Sequence, residues 1–225
     1  MNEAIFLVHI LAVLCCTFGA VKLGESALVT WVCIQGVLAN LFVLKQIDCF
    51  SLTVTCSDVY AVSGILSLNL LQEYFSLESA KKTAIRSFYF MIVFALMAKI
   101  HLLYQPSIDD SMDGAYRAIL SPAPRILFAS LLSFWIVQQI DIRLFAWIKK
   151  RWPHKPLSVR NAGSLITSQL IDTVLFTLLG LYGMVKSLFD IILLSFVIKT
   201  AVILCFIPLL VFCKKIFTRP IEPSL

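Results

Sequence analysis

Residues 123–148 read APRILFASLLSFWIVQQIDIRLFAWI, and after a short basic turn residues 160–183 read RNAGSLITSQLIDTVLFTLLGLYG. Each run is long enough to cross a bilayer, which takes about 20 predominantly apolar residues. Each also carries a glutamine and an aspartate in its interior, where contact with lipid would be unfavourable. The two runs therefore predict membrane helices whose polar side chains face protein.

The rest of the chain has the same apolar character. Hydrophobic residues make up 60% of all 225 residues and charged residues 14%, whereas soluble domains are about half apolar and a quarter charged. This composition excludes a disordered chain and a water-soluble enzyme domain. Further apolar runs lie at 4–23, 27–45, 85–104 and 187–213, with a more polar candidate at 52–72. We predict an all-α, polytopic integral membrane protein with six to seven transmembrane helices, folded as one domain over residues 1–225.

Basic residues concentrate on one side of the predicted membrane, and the formal net charge is +6. Cytoplasmic loops carry such an excess of Lys and Arg. We therefore expect the C-terminus and the loop at 149–160 in the cytoplasm, for either number of spans, without a nucleic-acid partner. The seven cysteines form no CxxC pair or Cys/His cluster, so neither a metal nor another cofactor is predicted.

The runs at 123–148 and 160–183 share one sequence pattern. S-x4-Q-x-I-D-x2-L-F begins at Ser133 and again 31 residues later at Ser164. It places an amide and an acid inside each helix: Gln138 and Asp141 in the first, Gln169 and Asp172 in the second. A carboxylate at mid-membrane costs about 2.5–3.5 kcal/mol on insertion scales. These groups are therefore expected to face protein or a wet cavity.

Helical periodicity predicts one polar stripe on the second helix. At about 100° per residue, the stripe contains Asn161, Ser164, Ser168, Gln169 and Asp172. The short turn that contains Pro153 and Pro156 makes the two helices antiparallel neighbours, so their polar groups point toward one volume. Carboxylates accept hydrogen bonds, and carboxamides both donate and accept them. Together they suit the edge of a planar heterocycle such as a guanine-like base.

The run Arg160-Asn161-x2-Ser164-x4-Gln169-x2-Asp172-Thr173 resembles the queuosine-precursor transporter family, also called the vitamin uptake transporter family. Weaker similarities cover nearly the whole chain: Ala39-Asn40-Leu41, Glu73-Tyr74, Pro124-Arg125-Ile126, Lys199 and Pro208. Two positions depart from the family pattern. Asn69 stands where the family has an acid, and Phe75-Ser76 where it has a glycine.

This resemblance implies a transporter, not an enzyme, in the bacterial cytoplasmic (inner) membrane. Its substrate would be a 7-deazaguanine (the 7-cyano form, the 7-aminomethyl form or queuine) that feeds the tRNA modification queuosine. A coupling ion or an energising partner is left open. The expected substrate-binding residues are Asn40, Glu73, Gln138, Asp141, Asn161, Ser164, Ser168, Gln169, Asp172 and Lys199.

Several alternatives remain open at this point. Asp172 and Lys199 would also suit a structural ion pair, and Ser and Thr residues often serve helix packing. The chain would also suit a substrate-binding subunit of a vitamin or nucleobase uptake system energised by a separate ATPase. An intramembrane enzyme would need a nucleophile–base pair or metal ligands, and three scattered histidines argue against it. An assembly factor would have no evident use for acids and amides at repeated spacing.

Overall fold

The computed structural model describes residues 2–42, 45–49, 52–55, 57–121, 124–183, 188–189, 191–193, 195–197 and 199–204. The helices are α1 Asn2–Leu23, α2 Glu25–Phe42, α3 Ser57–Tyr74, α4 Leu77–His101, α5 Asp113–Leu120, α6 Pro124–Arg151 and α7 Leu157–Phe176. α7 continues as a π-helical turn, Thr177–Leu181. A final helical segment covers the described residues of Ile191–Leu204. Two short strands, β1 Gln46–Cys49 and β2 Leu52–Thr55, lie between α2 and α3.

Five helices are long and apolar enough to cross a membrane, counted over the part of the chain that the structure describes. They are α1, α2, α4, the stretch Phe128–Arg151 of α6, and α7 extended to Gly180. The predicted run at 187–213 is represented by the final segment, and the remainder of that run lies outside the described residues. The prediction of an all-α, polytopic membrane protein is confirmed.

The predicted start of the polar run, at residue 52, is wrong. Leu52–Thr55 form β2, which pairs antiparallel with β1 so that Gln46 lies opposite Thr55. The helix begins only at Ser57. Thr and Val are β-branched residues that favour strands over helices, and hydropathy alone does not register that local preference.

α3 lies inside the bundle, in contact with α1, α2, α4, α6 and α7. Thirteen of its 18 residues are buried, including Ser63, Ser67, Asn69 and Gln72. Because protein surrounds this helix, its polar side chains face other helices and it needs no apolar outer face. The polar run is therefore a continuous buried helix from Ser57 to Tyr74.

α6 and α7 pack against each other as the antiparallel pair that the sequence predicts. A Cβ added at Gly163 would lie 3.8 Å from the side chain of Ile148, near the turn that joins the helices. At the far end, a Cβ added at Gly180 would lie 3.3 Å from Ala129. The contact at Gly180 would be tighter than usual, so this glycine allows close approach at the far end, whereas the one at Gly163 would be an ordinary van der Waals contact. The polar residues of the shared pattern meet in between.

Candidate functional site

Asp141 on α6 is the buried acid around which the candidate site is built. It is 0% exposed, and its Oδ1 accepts hydrogen bonds from Ser164 at 2.5 Å and Ser168 at 2.7 Å. Both serines lie on α7, one helical turn apart. The other carboxylate oxygen, Oδ2, has no hydrogen-bond partner within the described residues. One oxygen therefore fixes the acid to α7, while the second remains available as an acceptor.

Several buried amides on the same helices also lack partners. Gln138 lies one turn before Asp141, and Asn161 lies one turn before Ser164. Neither oxygen nor nitrogen of these two amides is hydrogen-bonded to any described residue, and the Oε1 of Gln169 is likewise unpaired. Buried polar atoms in native proteins are nearly always hydrogen-bonded. This set of donors and acceptors can therefore bind a polar guest without breaking existing bonds.

The site is closed in this conformation. Gln138, Asp141, Ser164 and Ser168 are all 0% exposed, and Asn161 and Gln169 are 1% exposed. No space of the size of a water molecule touches the first four side chains. A ring-sized guest can therefore reach them only when the helices around the site move apart.

Three helix ends meet in a charged cluster at the side predicted to be cytoplasmic. Glu73, near the end of α3, pairs with Arg160 of α7 at 2.7 Å and with Lys149 of α6 at 3.1 Å. The Lys149 ammonium also donates to the backbone carbonyl of Gln72 at 3.3 Å. Arg160 lies one helical turn before Ser164, so this inner cluster borders the site. Direct contact of Glu73 with a substrate stays a prediction.

Changing Glu73 to glutamine is expected to destabilise the protein, because it leaves Arg160 and Lys149 as two neighbouring cations without an acid. Arg160 is only 7% exposed, and an unpaired buried charge costs about 3–5 kcal/mol. We expect a loss of about 3 kcal/mol, seen as a lower thermal unfolding midpoint in detergent. The double change Glu73→Gln with Arg160→Gln should recover most of it.

The matched control is Glu78, whose ion pair with Lys82 is exposed on both sides. Exposed pairs contribute about 0–1 kcal/mol, so Glu78→Gln should leave the unfolding midpoint nearly unchanged. Equal effects of the two single changes would show that the inner cluster does not hold the helix ends together.

A second ion pair borders the site on the opposite side. Asp172 lies one helical turn beyond Ser168, and the ammonium of Lys199 donates to its Oδ2 at 2.5 Å. Lys199 is also within electrostatic reach of Asp58, at the start of α3. The ion pair that the sequence left open is therefore present, and binding of a substrate by Asp172 or Lys199 stays a prediction.

Asn40 lies apart from the other predicted residues. Its amide nitrogen donates to the carbonyl of Gly36 at 3.0 Å, and its oxygen accepts a hydrogen bond from Ser130 at 3.0 Å. Ser130 is 11 residues before Asp141 on α6, or about 16 Å along the helix at 1.5 Å per residue. Asn40 thus sits against the far end of α6, where it lines a small cavity with Met91.

Two groups of polar residues on α3 lie outside the predicted set of site residues. Ser63 bonds to Thr17 at 3.1 Å and to Gln35 at 2.7 Å, which ties α3 to α1 and α2. Asn69 instead has a fully buried amide with both atoms unpaired. The polarity of the run at 52–72 signalled such residues, but periodicity could not assign faces to a helix that is buried all round.

The candidate site holds no recognisable metal centre. Over the described ranges, no three His, Cys, Asp or Glu side chains are grouped so that they could hold a metal ion. The side chains of the site offer hydrogen bonding by one carboxylate, several carboxamides and two hydroxyls.

Comparison with known proteins gives this site a context. Residues 55–213 match the family model described as "Putative vitamin uptake transporter". The chain belongs to the vitamin uptake transporter family. The matched stretch contains α3, α6, α7 and Lys199, so it includes both ion-pair clusters and every side chain of the closed site. The family resemblance carried by Arg160–Thr173 is thereby confirmed.

A curated relative agrees with this assignment. The "Probable queuosine precursor transporter" of Bacillus subtilis (strain 168) is 29% identical over 195 residues, which cover 85% of each chain. No solved structure matches this chain. The family and the relative identify a multi-pass membrane transporter and not an enzyme.

Proposed function

We propose that this vitamin uptake transporter family member imports a 7-deazaguanine precursor of queuosine across the bacterial cytoplasmic membrane, with its C-terminus in the cytoplasm. The observation that carries the proposal is that the buried Oδ2 of Asp141 and both amide atoms of Gln138 have no hydrogen-bond partner among the described residues. The name of the Bacillus subtilis relative supports the same substrate class.

The chemistry of the site suits a guanine-type ring. Such a ring offers N–H donors beside a carbonyl acceptor on one edge. The free oxygen of Asp141 accepts from a ring N–H or amino group, and the carboxamides of Gln138, Asn161 and Gln169 supply both donors and acceptors. Because each buried group is unsatisfied without a partner, a ligand that lacks the matching group would bind far less tightly.

The Glu73 cluster and the Asp172–Lys199 ion pair border this site on opposite sides. We assign the Glu73 cluster to the cytoplasmic side and the Asp172–Lys199 pair to the outer side of Asp141. Asp172 and Lys199 would contact the substrate or respond to its arrival, and Asn40 would act at a distance from the ring. Since the site is closed to solvent, transport requires the helices to separate on each side in turn.

The test is uptake by bacteria that lack their own transporter and cannot make the precursor. Cells that express this chain should accumulate labelled 7-cyano-7-deazaguanine, 7-aminomethyl-7-deazaguanine or queuine, and queuosine should appear in their tRNA. Cells with an empty vector are the control. Uptake no higher than in the control, with the protein present in the membrane, would overturn the proposal. Repeating the assay with an ionophore distinguishes ion-coupled import from import that a separate ATPase energises.

A further inference from the structure

Asn69 is a fully buried amide that does not belong to the predicted set of site residues. It is 0% exposed, and both its Nδ2 and its Oδ1 lack hydrogen-bond partners within the described residues. Its neighbours Leu68, Leu70 and Leu71 are also 0% exposed. A leucine of similar size would avoid an unsatisfied amide among these residues. Packing alone therefore gives no reason for an asparagine here.

The ion pair between Glu73 and Arg160 shows where Asn69 lies relative to α7. It lies one helical turn before Glu73, on the same face of α3, and Glu73 contacts Arg160 on α7. Ser164, which donates to Asp141, lies one turn after Arg160. This ion pair holds the end of α3 against the start of α7, and the two helices run in opposite directions. One turn back along α3 and one turn forward along α7 therefore reach the same level of the bundle. Asn69 is therefore level with the part of α7 that holds Asp141.

A second amide on α3 supports this placement. Gln72 lies three residues after Asn69, is 5% exposed, and its Nε2 has no partner among the residues described. Its backbone carbonyl accepts from Lys149 of α6. The face of α3 that carries these two amides therefore points toward α6 and α7. It is not the face that carries Ser63, which bonds to Gln35 of α2.

We propose that α3 forms a third wall of the substrate site and that Asn69 binds the ring of the transported base. This inference rests on the proposed function. A carboxamide offers a donor beside an acceptor, and a 7-deazaguanine has edges where an N–H adjoins a ring nitrogen or a carbonyl. Asn69 would bond such an edge, while Asp141 accepts from another ring N–H or amino group.

The experiment measures binding and stability of purified Asn69→Leu together. The change removes an unsatisfied buried amide, so the thermal unfolding midpoint should stay the same or rise. Affinity for the transported 7-deazaguanine should fall about 10-fold or more, as expected when a bond to a buried ligand is lost. Leu70→Met, a volume-conserving change at the adjacent buried position, should alter neither quantity. Asn69→Ala serves as the second variant if Asn69→Leu does not fold.

Ligand analogues separate a binding role from a structural one. Analogues that lack the 2-amino group, the 6-oxo group or the pyrrole N–H are each compared on wild-type protein and the variant. The affinity loss should disappear for the analogue that lacks the group bonded by Asn69. Unchanged affinity in Asn69→Leu, or a loss shared equally by all analogues, would overturn this inference. Failure of the wild-type protein to bind any 7-deazaguanine would instead overturn the proposed function.

Discussion

Changing Asp141 to asparagine is expected to abolish transport while the protein stays folded. Asparagine keeps an oxygen for the hydrogen bonds from Ser164 and Ser168, but it puts an amide nitrogen where the free carboxylate oxygen lies. An acceptor in the site thus becomes a donor that opposes the N–H groups of the base. Loss of one charged hydrogen bond costs about 1.5–3 kcal/mol, and the mismatched donor adds to this. Affinity should fall about 100-fold or more.

Equilibrium binding to purified protein and uptake by cells measure this effect, with membrane abundance determined in parallel. The control is Arg143→Gln, because Arg143 lies two residues away on α6 with its side chain exposed. That change should leave binding within about twofold of the wild type, as expected for a surface position. Tight binding by a well-folded Asp141→Asn protein would remove Asp141 from the substrate site.

Changing Lys199 to methionine is expected to reduce the amount of folded protein sharply. Asp172 would lose the partner that lies 2.5 Å away, and its side chain is only 21% exposed. Removal of one partner of a buried pair costs about 3–5 kcal/mol. Because Asp172 is partly exposed, we expect a loss of stability near the lower end of that range. Membrane abundance and the thermal unfolding midpoint in detergent report the loss. Lys99→Met, at an exposed position of α4, is the matched control.

The double change Asp172→Asn with Lys199→Met decides between the two interpretations of this pair. It removes both charges, so abundance and unfolding midpoint should recover. If transport recovers as well, the pair is structural. If abundance recovers and uptake does not, Asp172 or Lys199 acts on the substrate. A double variant as unstable as Lys199→Met alone would show that the ion pair is not what stabilises this region.

The membrane helices and the α6–α7 pair could be predicted from the sequence because both depend on local patterns. An apolar run of about 20 residues fixes a span, and a short turn fixes two antiparallel neighbours. The spacing of Asn161, Ser164 and Ser168 likewise fixed a buried face of α7, and the structure places the two serines against Asp141.

Other features depended on contacts between distant parts of the chain. The family resemblance put Glu73 and Asn40 among the site residues. The structure adds that Glu73 pairs with two cations at the helix ends and that Asn40 bonds to Ser130. The sequence singled out Asn69 only as a departure from the family pattern, because periodicity assigns an inner face only when a helix also has an outer face. α3 has no such face, since other helices surround it.

The most direct test of the central claim is a binding competition on the purified protein. The claim is that the acid and amide groups between α6 and α7 bind the edge of a 7-deazaguanine ring. A labelled 7-deazaguanine should bind, should be displaced by an unlabelled one, and should resist displacement by adenine. Adenine has an acceptor at N1 where guanine has an N–H donor, and an amino donor where guanine has its carbonyl acceptor. Absence of binding by every 7-deazaguanine, or equal displacement by adenine, would contradict the account.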